Sequence, residues 1–152
     1  MKKFLTVTLL IAVFVLSCDN DGGSSGGGGS TPTDPPKKQN SPNVTMFAGK
    51  TATIKSDDTF TTAQWNAIVN AIVNKFSTAY NSVTAQQKEA YEDVLDQGVT
   101  VTVEKNPQGY TNYKTNSYTL YVHSDRVNNL DAQKVIVAMA TGKGTIDGVT
   151  PP

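Results

Sequence analysis

The chain has 152 residues, of which 38% are hydrophobic and 17% charged, enough for one folded domain with appended segments. Its 13 Lys and Arg residues balance 13 Asp and Glu residues. No basic patch stands out, so nucleic acid is not an expected partner. The single cysteine excludes an internal disulfide, and the single histidine excludes a metal centre with several imidazole ligands.

The first residues have the organisation of a bacterial signal peptide. Two lysines precede residues 4–16, an apolar run whose length suits the roughly 7–15 residues of a signal-peptide core. The run is shorter than the roughly 20 residues that a bilayer-spanning helix needs. It ends in the tetrapeptide Val15-Leu16-Ser17-Cys18.

This tetrapeptide resembles the lipobox of bacterial lipoproteins, in which an aliphatic residue, a variable residue and a small residue precede a cysteine. The resemblance is confined to the signal segment. It implies cleavage between Ser17 and Cys18, lipid attachment to Cys18, and a location in the bacterial cell envelope, at the outer membrane or cell surface rather than the cytoplasmic membrane. Two or more acyl chains anchor a protein stably, since each buried methylene contributes about 0.8 kcal/mol. The alternative is an ordinary signal peptide with an unrelated cysteine.

The composition then divides the chain into four segments. Residues 1–17 are the predicted signal peptide, and residues 18–43 are a predicted flexible tether rich in Gly, Ser and Pro. The tether contains no large apolar residue, so nothing offsets the entropy lost on ordering it. Residues 44–148 are predicted to form a single domain, and residues 149–152 a loose C-terminus.

Three helices are predicted within this domain. Thr61 with Gln64, and Thr84 with Gln87, form capping boxes, in which each threonine and glutamine cap the other's backbone amide. Apolar residues recur at three- and four-residue steps after both boxes, as on one face of a helix. The predicted cap of a last helix, which ends near Thr141, is Asn128 or Asn129.

The strands are predicted from alternating apolar and polar residues. Residues 46–55 form one or two short segments, and residues 99–104 and 118–123 form two adjacent antiparallel strands. Residues 110–116 between them are either a long hairpin loop or a short extra strand. The order β-α-α-β-β-α predicts an α+β fold, a small antiparallel sheet packed with about three helices.

Tyrosines are concentrated in the second half of the domain. Alternation predicts that Tyr118 is buried and that Tyr121 projects from the opposite face, while Tyr110 and Tyr113 lie exposed in a polar loop. A tyrosine ring combines apolar area with a polar tip, which suits recognition. The alternative explanation for the concentration of tyrosines is that tyrosine is common in β-strands. The candidate ligand-binding residues are therefore Tyr110, Tyr113 and Tyr121.

No catalytic constellation is apparent in the sequence. Ser124 and Asp125 follow His123, but neighbours in a strand point to opposite faces and do not build a triad. We therefore expect no enzyme, no cofactor and no metal.

The predicted function is that of a lipid-anchored envelope protein presenting a noncatalytic binding or adhesion domain to an envelope or host protein or glycan. The alternative is a structural or accessory envelope protein that associates with another membrane component.

Overall fold

A computed structural model describes residues 34–147, which contain three α-helices, one 3-10 helix and one six-stranded mixed sheet. The α+β class is therefore confirmed. The predicted signal peptide, Cys18, the predicted tether up to residue 33 and the C-terminus from residue 148 lie outside the described residues. The strands are Lys37–Phe47 (β1), Lys50–Phe60 (β2), Thr100–Glu104 (β3), Tyr113–Asn116 (β4), Thr119–His123 (β5) and Ile146–Asp147 (β6). The helices are Thr62–Ser82 (α1), Ala85–Asp96 (α2), Ala132–Ala140 (α3) and the 3-10 helix Ser124–Asn129.

The centre of the sheet is parallel, and the predicted antiparallel sheet is wrong there. The strand order is β1-β2-β3-β5-β4-β6, with β2 parallel to β3 and β3 parallel to β5. The helices α1 and α2 connect the end of β2 to the start of β3, so the two strands pair in the same direction. Of the two alternatives for residues 110–116, the extra strand is present as β4, and it pairs with the outer side of β5. Because β4 reverses the chain without pairing to β3, β5 enters the sheet parallel to β3.

The domain begins earlier than its composition predicted. β1 starts at Lys37, which pairs with Phe60, so residues 37–43 belong to the sheet and the tether boundary at residue 43 is wrong. Backbone pairing orders this polar segment, assisted by side chains. The Gln39 backbone amide donates to Ser56 Oγ at 2.8 Å, and Trp65 Nε1 donates to Ser41 Oγ at 2.8 Å. Apolar content therefore underestimates the extent of an edge strand.

The edge formed by β1 is poorly suited to pairing with another chain. The strand begins with two lysines, contains Pro42, and shifts its register against β2 at three places. Lysines, prolines and bulges on an edge strand oppose the addition of a further strand. A two-residue turn then leads into β2, with positive φ at Ala48 (47°) and Gly49 (74°), as the tightest hairpins require.

Both predicted capping boxes are present. Thr61 Oγ1 accepts from the Gln64 amide at 3.2 Å, and Gln64 Oε1 accepts from the Thr61 amide at 3.1 Å. The second box has the same reciprocal bonds. The third predicted cap is wrong, because Asn128 and Asn129 lie in the 3-10 helix, and Asp131 accepts from the Lys134 amide at 3.0 Å to begin α3.

One face of the sheet forms the core. Ile54, Val101 and Leu120 pair across three neighbouring strands and are fully buried. The α-helices contact β2, which contains Ile54, and the strands β1 and β4 on either side of the central strands. The register places Thr53, Thr100, Thr119 and Tyr121 on the opposite face, where they remain partly exposed. We call this second surface the open face.

Candidate functional site

The structure reverses most of the predicted tyrosine exposures. Tyr110 is 3% exposed and Tyr113 is 1% exposed, so both predictions of surface positions are wrong. Tyr118, predicted to be buried, is 37% exposed. Tyr121 lies on the open face as predicted and is half-buried. The three candidates therefore do not form one exposed surface.

Strand pairing explains the positions of Tyr113 and Tyr118. Tyr113 pairs with Val122 in the β4–β5 hairpin, so both side chains enter the core, and burial raises the pKa of Tyr113 to about 12. Tyr118 belongs to the two-residue turn between Asn116 and Thr119. The preceding Ser117 has φ of 50°, which breaks the strand alternation on which burial of Tyr118 was predicted.

Tyr110 is held by contacts that give it a structural role. Its hydroxyl donates to Glu104 Oε2 at 2.7 Å. Burial, followed by this hydrogen bond, raises the pKa of Tyr110 above that of a free phenol. Lys114 Nζ lies 5.0 Å from the ring centroid of Tyr110 and 5.0 Å from that of Tyr121, within cation–π range of both. These contacts fix the loop after β3 against the open face.

The three parallel strands end together at one edge of the sheet. β2 ends at Phe60, β3 at Glu104 and β5 at His123, and we call this the carboxyl edge. In open α/β sheets, ligands bind in crevices outside the carboxyl ends of the parallel strands. Two grooves lie at this edge, and Lys105 and Asn106 line both of them.

The first of these, the apolar groove, has a volume of about 520 Å³. Phe60, Ala67 and Ile68 supply its apolar lining, and polar side chains from α1 and the 3-10 helix complete it. Lys105 forms a fixed wall: its backbone amide donates to Asp58 Oδ2 at 2.6 Å, and its Nζ lies 4.6 Å from the centroid of the Phe60 ring. This groove has the mixture of apolar floor and polar margin that is typical of small-molecule sites.

The second, the polar groove, has a volume of about 370 Å³. Besides the two shared residues it is lined by Pro107, Gln108, Tyr110, Thr111, His123 and Arg126. The Nδ1 atom of His123 is buried without a hydrogen-bond partner among the described residues. A buried polar atom without a partner costs about 1–3 kcal/mol, and such atoms are uncommon in folded proteins.

Of the tyrosine candidates, only Tyr110 lines this groove. Tyr113 lies in the core and Tyr121 on the open face. The remaining groove residues were not predicted from the sequence. A signal for them was present in residues 105–109, a polar turn directly after a strand. Its significance depends on the parallel pairing of β3, which local patterns do not indicate.

Two other depressions are occupied by structural contacts. The groove between α1 and residues 128–133 has a volume of about 640 Å³, and Lys75 Nζ donates to the Asn128 carbonyl at 2.5 Å beside it. A cavity of about 340 Å³ at the amino ends of β2 and β3 contains the Lys50–Asp96 ion pair, whose charged atoms lie 2.6 Å apart. These contacts join elements of the fold, so neither depression is our candidate site.

The acidic face of α2 also has structural partners. Glu92 Oε1 accepts from the Tyr80 hydroxyl at 2.5 Å, and Asp96 pairs with Lys50. Within residues 34–147, no three or more His, Cys, Asp and Glu side chains are grouped so that they could hold a metal ion. The helices of this part of the chain are too short or too polar to cross a membrane.

Comparisons with protein-family models, with curated proteins and with solved structures found no match for this chain.

Proposed function

We propose that this protein is a lipid-anchored envelope protein whose domain binds a ligand noncatalytically at the carboxyl edge of its sheet. The observation that carries the proposal is the meeting of an apolar and a polar groove at Lys105 and Asn106, where three parallel strands end. The signal-like first residues and Cys18 support the anchor. Anchoring through lipid leaves the domain facing the aqueous phase, where a soluble or surface-bound ligand reaches it.

The rigidity of the grooves favours binding. β3 and β5 are interior strands, each paired on both sides. The loop that follows β3 is fixed by the Lys105 amide and by the Tyr110–Glu104 hydrogen bond. A site that is already ordered loses less conformational entropy when its ligand binds, so more of the contact energy appears as affinity.

The open face supports the second candidate, a structural or accessory protein that associates with another envelope component. Tyr121 and a row of threonines form a partly exposed surface there. Lys114 lies between the rings of Tyr110 and Tyr121 and leaves less aromatic area available to a partner. We therefore prefer the carboxyl edge as the binding site.

Blocking both grooves should weaken ligand binding without unfolding the domain. Asn106 is exposed and lines both grooves, so Asn106→Trp should fill them and weaken binding at least about tenfold, which is about 1.4 kcal/mol. Ligands are first captured by the mature chain from envelope and glycan preparations, and affinities are then measured by calorimetry.

The matched control is Asn70→Trp, at an exposed position of α1 that lines neither groove. It should bind as the parent does, and both variants should keep the parental melting temperature. Loss of binding in a Thr119→Arg variant of the open face, with Asn106→Trp unaffected, would instead identify the accessory function.

The anchor has its own test. Cys18→Ala should prevent lipid attachment and leave the precursor uncleaved at this position, because the thiol is the acceptor of the lipid. Intact-mass measurement of the mature protein checks this. A mature chain that begins at Cys18 and carries no fatty acyl mass would refute the lipoprotein assignment. The proposed binding site would still be tested separately by the groove variants.

A further inference from the structure

The polar groove contains a cation whose charge is not neutralised by a protein partner. Within residues 34–147, the side chain of Arg126 is exposed and makes no ion pair or hydrogen bond. The other permanent cation of the groove, Lys105, donates from Nζ to the Thr59 carbonyl at 2.5 Å. Lys105 is thus partly engaged by the protein, whereas all the side-chain N–H donors of Arg126 remain available to a ligand.

Three of the carboxylates around the groove, in contrast, already accept hydrogen bonds. Glu104 accepts from the Tyr110 hydroxyl, and Asp58 accepts from the Lys105 backbone amide. Asp125, next to Arg126 in the chain, accepts from the Ser124 hydroxyl at 3.3 Å. None of these three carboxylates forms an ion pair with Arg126, so its guanidinium, whose planar fork of N–H donors matches a carboxylate, can bind an incoming anion.

The remaining lining suits a hydroxyl-rich molecule. Asn106 and Gln108 present amide groups that both donate and accept hydrogen bonds, and both side chains are exposed. Pro107 is the single lining residue without a polar side-chain atom. A sugar ring carries hydroxyls that also donate and accept, so these amides are able to orient it next to the guanidinium.

The sheet topology disfavours a peptide as the ligand of this groove. Extended peptides gain main-chain hydrogen bonds by joining an exposed strand edge. The strands that end at the polar groove, β3 and β5, are interior, and the two outer strands of the sheet are β1 and β6. The groove therefore offers side chains but no free strand edge to a ligand.

We infer that the polar groove binds a carboxylate-bearing saccharide, a uronic acid unit, with Arg126 binding the carboxylate and Asn106 and Gln108 orienting the hydroxyls. The inference rests on the proposed function and specifies its ligand class. It adds a charge requirement that the proposed function does not contain.

The test compares acidic saccharides with their uncharged methyl esters. Tetramers of galacturonate, glucuronate-containing hyaluronan and mannuronate are titrated into the full mature chain in detergent. At least one tetramer should bind, and its methyl ester should bind at least about tenfold more weakly, because a charge-assisted hydrogen-bonded pair is lost. Arg126→Gln should reduce binding of the acid by the same factor and leave the weak binding of the ester unchanged.

The matched control is Lys143→Gln, which removes one exposed positive charge from the segment after α3. This segment contacts the end of β4 that is farther from the groove, where the Thr115 amide donates to the Thr145 carbonyl. It should change the affinity less than twofold, so a larger effect would indicate nonspecific attraction and overturn the inference. Failure of all three tetramers to bind overturns it, as does equal binding of acid and ester. Stronger binding of tetraglutamate than of every saccharide would do the same in favour of a peptide.

These outcomes are separable from failure of the proposed function. A neutral saccharide or other ligand whose binding is lost in Asn106→Trp but not in Arg126→Gln would leave the groove as the site and reject the uronate. A uronate that binds equally to the parent, Arg126→Gln and Asn106→Trp would lie elsewhere on the protein and reject both proposals.

Discussion

Truncating Tyr113 to alanine should lower the free energy of unfolding by about 3–5 kcal/mol, the usual cost of removing a large aromatic side chain from a core. Tyr113 is 1% exposed, and its strand pairing with Val122 directs it into the core. The residue lies on β4, near the edge of the sheet, but the short β6 pairs with Tyr113 and Lys114 on the outer side of that strand. This pairing holds the backbone around Tyr113 in place, so the cavity left by the substitution would remain poorly filled. Urea unfolding followed by circular dichroism measures the change.

The matched variant is Tyr118→Ala, which removes the same side chain from a turn. Tyr118 is 37% exposed, so we expect a loss within about 0.5 kcal/mol, as is usual for surface positions. Equal destabilisation by the two substitutions, or a larger loss for Tyr118→Ala, would contradict the strand register of the β4–β5 hairpin.

Deleting residues 34–43 should have the second large effect, by removing the first part of β1. A chain that begins at Val44 exposes the edge of β2 and loses the Gln39–Ser56 and Trp65–Ser41 hydrogen bonds. With about 1 kcal/mol for each lost hydrogen bond, including those of the ladder, we expect a loss of several kcal/mol. In a domain of this size that lowers the melting temperature by more than about 10 °C.

A chain that begins at Asp34 is the control for this deletion. It retains all of β1 and should melt as the full mature chain does. Scanning calorimetry of the two shortened chains makes the comparison. If the chain beginning at Val44 melts within a few degrees of the control, residues 37–43 add little to the sheet and the domain begins where the composition first suggested.

Local sequence determined the elements whose stabilising contacts are themselves local. The capping boxes at Thr61 and Thr84 involve residues three apart, so their presence in α1 and α2 could be read directly. Alternation likewise predicted that Tyr121 projects from the face opposite the core, because successive side chains of a strand point to opposite faces. Together these elements were sufficient to identify an α+β fold.

Only the tertiary structure decided how the strands were ordered and which side chains they buried. Parallel pairing of β3 and β5 depends on β4, a short strand that the sequence left as one of two alternatives. Exposure of Tyr110 and Tyr113 depends on the same pairing and was predicted wrongly from the polarity of their neighbours.

The candidate site followed from this topology. Phe60, Lys105 and Arg126 are far apart in sequence, and parallel pairing brings the ends of their strands to one edge. Pairing between distant strands is set by the whole hydrogen-bonded sheet and its shared core, whereas a propensity or a capping motif reports only on residues within a few positions of one another.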